Sequence, residues 1–77
     1  MDRLEALGQA IRQTRLERRL SQEKLAEVAR LHRNFVGLVE RNATVPAMDS
    51  LFAIADALGI PASELVATAE EIARQTD

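Results

Sequence analysis

Leu4, Leu7 and Ile11 recur at helical spacing through LEALGQAIRQTRLERR with polar residues between them, which predicts a first amphipathic helix from about Leu4 to Arg18. Ser21 has the chemistry of an N-cap, and Leu25, Ala26 and Ala29 in QEKLAEVAR define a short second helix ending near Arg30. Only Leu31 and His32 separate it from a third, Arg33 to Arg41. That helix is expected to bury Val36 and Val39 and to turn Asn34, Gly37, Leu38 and Arg41 outward. Asn42 suits a left-handed helix end, and ATVPA with Pro46 reads as a loop.

From Met48 the segment MDSLFAIADALG is apolar on two faces, Leu51, Ile54 and Leu58 on one and Met48, Phe52 and Ala55 on the other. One small core cannot easily use both. Gly59 is a natural stop, Ile60 an apolar residue just past it, and Pro61 opens a fifth helix reaching about Gln75 with Leu65, Ala69 and Ile72 as its stripe. Thr68 and Glu71 offer a capping box that would restart this helix after Val66, but one continuous helix is the expectation. The fold class is therefore all-α, five helices in a single domain over residues 1 to 77.

Composition narrows the function. The two Phe are the sole aromatics, so the core is aliphatic. With no Cys there are no disulfides or thiolate zinc sites, and the lone His32 lacks a second ligand, so no metal or cofactor is expected. The longest apolar runs fall far below the roughly 18 residues of a membrane span, and the N-terminus lacks a signal-peptide core, so the expectation is a cytoplasmic protein with no membrane partner. An enzyme is not expected either, since there is no Gly-rich phosphate loop and the carboxylates are scattered. No small-molecule ligand is expected. The net charge of −2 conceals a division: residues 1 to 41 hold nine basic against six acidic residues, whereas residues 42 to 77 hold one against six. The basic half can face a polyanion.

Two short helices joined by so brief a break place the second where it projects, braced by the first. The major groove of B-DNA admits one helix, Arg pairs well with guanine O6 and N7, and Asn with adenine N6 and N7. Arg33 and Asn34 stand at the start of the projecting helix. SQEKLAEVA, LHRNFVGLVER, the Arg12 and Arg15 pair and LFAIADALGI together resemble the helix-turn-helix family of phage repressors, Cro and xenobiotic-response-element regulators. LHRNFVGLVER is most similar to the small controller proteins of restriction-modification systems.

The resemblance implies a lambda-repressor-like domain that binds double-stranded DNA, with Arg33, Asn34, Gly37 and Leu38 facing bases. Gln22 matches the family's phosphate-contacting glutamine, with Ser21, His32, Arg41, Thr44 and Arg19 also set near the backbone. Leu38 has two readings, contact with a thymine methyl or plain exposure, and Phe35 either packs over Leu31 or touches DNA. Arg15 and Glu40 match a buried, architectural salt bridge. The departures are Arg19 where the family usually has Gly, and Thr44, Val45 and Ala47 in a loop with a weakened phosphate grip.

The second apolar face of the fourth helix suggests a homodimer through Leu51, Phe52, Ala55, Leu58, Ile60 and Leu65, reading a palindromic operator. The alternative is a protein-binding module or antitoxin on the same scaffold.

Overall fold

The computed structural model describes residues 1–75. Five helices form, α1 Arg3–Glu17, α2 Gln22–Ala29, α3 Phe35–Glu40, α4 Met48–Leu58 and α5 Ala62–Gln75. The side chains of Asp2 and Ser21 accept the Leu4 and Lys24 amides and so start α1 and α2.

The first four helices stop in the same way. A left-handed residue follows each, Arg19 (φ 58°), Arg30 (φ 60°), Asn42 (φ 59°) and Gly59 (φ 77°). In every case its amide bonds the carbonyl three residues back and the next amide bonds the carbonyl five back, as in Leu20 to Arg15, Leu31 to Ala26, Ala43 to Leu38 and Ile60 to Ala55, at 2.8–3.1 Å. This pairing satisfies helix-end carbonyls that would otherwise lack donors. Leu20, Leu31 and Ile60, the residues just past three of these turns, pack back onto the core. Gly59 adopts its conformation without penalty, whereas a Cβ there costs roughly 1 kcal/mol at Arg19 and Arg30. Arg19 stands where the resembled family usually has Gly, which fits a left-handed end; Arg30 carried no such signal.

α1 lies along α5, α2 packs on α4, and α3 sits against both α1 and α2. Each helix supplies one of the largest fully buried side chains: Ile11, Leu25, Val36, Ile54 and Leu65. Burial of each contributes about 1.5 to 3 kcal/mol, so no helix is independent of the common core. Arg18 adds a polar tie, its Nε donating to the Leu58 carbonyl at 2.9 Å where α4 ends.

The helical periods were legible, but two readings change. The third helix begins at Phe35, not Arg33, because His32 takes over as the turn residue: its Nδ1 accepts the Asn34 amide at 3.2 Å and its carbonyl accepts the Phe35 amide at 2.9 Å. α5 is continuous, as expected, and does not restart at Thr68. Most of the proposed partner face belongs to the monomer's own core, since Leu51, Ala55, Leu58 and Leu65 are all buried and Ile60 packs onto them. Of the residues assigned to that face, Phe52 is exposed, beside Met48.

Replacing Arg30 with Gly removes the left-handed penalty and should raise stability by roughly 0.5 to 1 kcal/mol, about 2 to 8 °C in Tm for a domain of this size. Calorimetry checks it; an unchanged or lowered Tm would show that the Arg30 side chain compensates for its backbone.

Candidate nucleic-acid interface

The projecting helix α3 has six residues, too few to persist alone. What holds it is an ion pair reaching from α1. Arg15 Nε donates to Glu40 Oε2 at 2.7 Å and Nη2 to Oε1 at 3.0 Å, while Nη1 donates to the Leu20 carbonyl at 2.8 Å. Gln22 Nε2 completes the group with a 3.0 Å bond to Glu40 Oε1. The two charged side chains are only 8% and 3% exposed. Among the described residues no buried side-chain nitrogen or oxygen lacks a partner. The hydrogen bond to Glu40 holds the Arg15 guanidinium above its ordinary pKa, against the smaller opposing effect of burial. Because the folded-state value is raised, this stabilisation is fully present at every pH below the unfolded one and is lost only as pH rises through the folded value. Arginine therefore keeps it throughout the neutral range.

On the opposite side of α3 and in the turn before it, His32, Arg33, Asn34, Leu38 and Arg41 are exposed. Asn34 occupies the N-cap position, yet its side chain makes no capping bond, because His32 already serves that turn. The side chains of Arg12, Arg19, Arg30, Arg33 and Arg41 are exposed and have no hydrogen-bonded or ion-paired partner among the described residues. All five lie in the basic half of the chain. The remaining described cations are engaged: Arg3 with Glu70, Lys24 with Glu27, Arg74 with Glu71, and Arg15 and Arg18 as above.

Several assigned positions are placed differently from expectation. Gly37 is buried, not outward-facing, because the Gln22 amide oxygen and an Arg41 guanidinium nitrogen close over it, 3.1 and 3.2 Å from where a Cβ would stand. Gln22 is tied to Glu40 and is not a free surface amide. Ser21 Oγ accepts the Lys24 amide at 2.9 Å, the N-cap its chemistry predicts, and Thr44 is half-buried. Phe35, like Leu31, is half-buried and packs onto the core. The Gln22–Glu40 bond had no signal in the sequence, since 18 positions separate the partners.

The helix-turn-helix family model matches residues 11–65, from the middle of α1 into α5. The chain belongs to the helix-turn-helix family. This regulator is 43% identical over 60 residues to the immunity repressor protein of Bacillus phage phi105, covering 78% of the chain but only 42% of that protein. It is 38% identical over 66 residues to control protein C.SmaI of Serratia marcescens, covering 86% of the chain and 79% of the relative. The crystal structure of the restriction-modification controller protein C.AhdI from Aeromonas hydrophila superposes with a TM-score of 0.78 at 39% identity, covering 80% of this chain and 94% of that one. The regulator thus shares the five-helix, all-α architecture of controller proteins. No single helix among the described residues is long and apolar enough to cross a membrane.

Replacing Glu40 with Ala strands the buried Arg15 charge and should cost roughly 3 to 5 kcal/mol. That is a large part of the roughly 4 to 12 kcal/mol expected for a domain of this length. Equilibrium urea unfolding measures it, and a loss below about 1 kcal/mol would show that water replaces the carboxylate at no great cost.

Proposed function

We propose that the regulator acts in the cytoplasm as a homodimer on a palindromic operator, laying α3 of each protomer in the major groove of double-stranded DNA to control transcription. One observation carries this reading: the side chains of Arg33 and Asn34 stand exposed at the head of α3 with no intramolecular partner, and those of Arg19 and Arg41 are equally unpaired. A guanidinium and a carboxamide so disposed suit the edges of guanine and adenine, and the flanking cations suit phosphates. Leu38, at the edge of exposure, offers an apolar contact for a thymine methyl. Ser21, Gln22, His32 and Thr44 complete the backbone contacts, Gln22 through the second hydrogen of an amide already anchored on Glu40. Gly37 contributes by lacking a side chain, which leaves room for Gln22 and Arg41 above it. The phage repressor and control proteins among the relatives support a regulatory role, and a restriction-modification controller fits their company.

A single six-residue helix reads too few base pairs for a useful site, so a second copy is required about one helical turn of DNA away, roughly 34 Å. Val45, Met48 and Phe52 form the surface for it, 49%, 61% and 52% exposed and spaced along one side of α4 and the loop before it. The whole chain then acts as one DNA-binding domain, with its acidic half turned from the phosphates.

Two measurements test the reading. Substituting Arg33 with Ala should weaken binding to an operator selected from random duplexes by about 1 to 3 kcal/mol and relax preference at one base position. Equal weakening on all sequences would instead assign Arg33 to phosphate. Phe52→Asp, at a surface position, should leave the fold intact and shift sedimentation to the monomer, with cooperative operator binding lost; a persistent dimer would exclude this surface.

A further inference from the structure

α1 touches the recognition helix at a second point besides Arg15. Gly8 is buried in the middle of α1, where Gly is about 1 kcal/mol less favourable than Ala. A Cβ at this position would stand 2.5 Å from the Val39 carbonyl oxygen, 3.0 Å from that of Glu40 and 3.2 Å from Glu40 Cα. These are backbone atoms and cannot rotate aside. Relief to an ordinary contact of about 3.5 Å requires the end of α3 to move relative to α1 by on the order of 1 Å.

Gly8 and Arg15 are seven residues apart, two helical turns, and so lie on one face of α1. Both meet Glu40, Gly8 at its backbone and Arg15 at its carboxylate. We propose that Gly8 is a positioning residue for DNA reading, forming with Arg15 a two-point mount on Glu40 that sets the angle at which α3 meets the base edges. The inference rests on α3 being the reading helix. α3 is only about 9 Å long, so displacing one end tilts the whole element, and base contacts tolerate only about 0.5 Å of error. Phosphate contacts made by long, mobile arginines tolerate more. Neither Gly8 nor Val39 touches DNA in this arrangement, so the effect passes through the backbone of Val39 and Glu40.

The test is Gly8→Ala, made in the native chain and in a chain stabilised by Arg30→Gly. Each is titrated with the palindrome the native protein selects and with an unrelated duplex, at two salt concentrations. Operator affinity should fall roughly ten- to a hundredfold, the equivalent of one bidentate base contact. Affinity for the unrelated duplex should change less than about threefold, with the salt slope retained. Amide resonances of residues 35–41 should shift. Native operator affinity, or an equal loss on both duplexes, overturns the proposal, as does failure of the variant to fold even in the stabilised chain, which would make Gly8 a requirement of the fold. If the native protein selects no palindrome, the DNA reading itself fails, and unshifted resonances at residues 35–41 would then overturn the mount separately.

Discussion

Everything that projects from this molecule depends on the bidentate pair between Arg15 and Glu40. Burying two charges is costly, and a well-packed apolar pair of similar volume is often at least as stable. What an apolar pair lacks is direction. The fork of a guanidinium meets a carboxylate in one geometry, so the pair specifies how α3 lies against α1 as well as that it does so. The carbonyl of Leu20 and the amide of Gln22 extend the constraint to the start of α2, so one cluster locates both helices of the turn.

Helix termination follows a second common constraint. Four helices end in a left-handed residue, and only one of these is Gly. At Arg19 and Arg30 the chain accepts backbone strain and retains a cation. Arg19 is itself one of the proposed phosphate contacts, a role that would offset the strain; nothing in the structure explains Arg30. In a domain with so small an aliphatic core, each such departure is a noticeable fraction of the net stability.

Charge is distributed along the same division. The unpaired arginines belong to the first 41 residues, where two further cations are held by Glu40 and by the carbonyl of Leu58. A negative net charge is therefore compatible with a polyanionic partner, because it is the local field at the contact face that acts over a Debye length of about 10 Å. The arginines engaged internally serve architecture, and those left free are available to a ligand.

The sequence by itself determined the five helices, the burial of Val36 and Val39, the helix ends at Asn42 and Gly59, and the family, because periodicity, capping and turn chemistry are local and their signals lie within a few residues. The Arg15–Glu40 pair was legible only through resemblance, since nothing in the spacing of two residues 25 positions apart signals contact. Tertiary structure alone decided which of two apolar faces of α4 enters the core, sending Leu51, Ala55 and Leu58 inward and leaving Met48 and Phe52 out. It alone revealed that Gln22 closes on Glu40 over Gly37 and that Gly8 admits the backbone of α3. These are close approaches between distant segments, set by how helices pack, and a one-dimensional pattern carries no record of which surfaces meet.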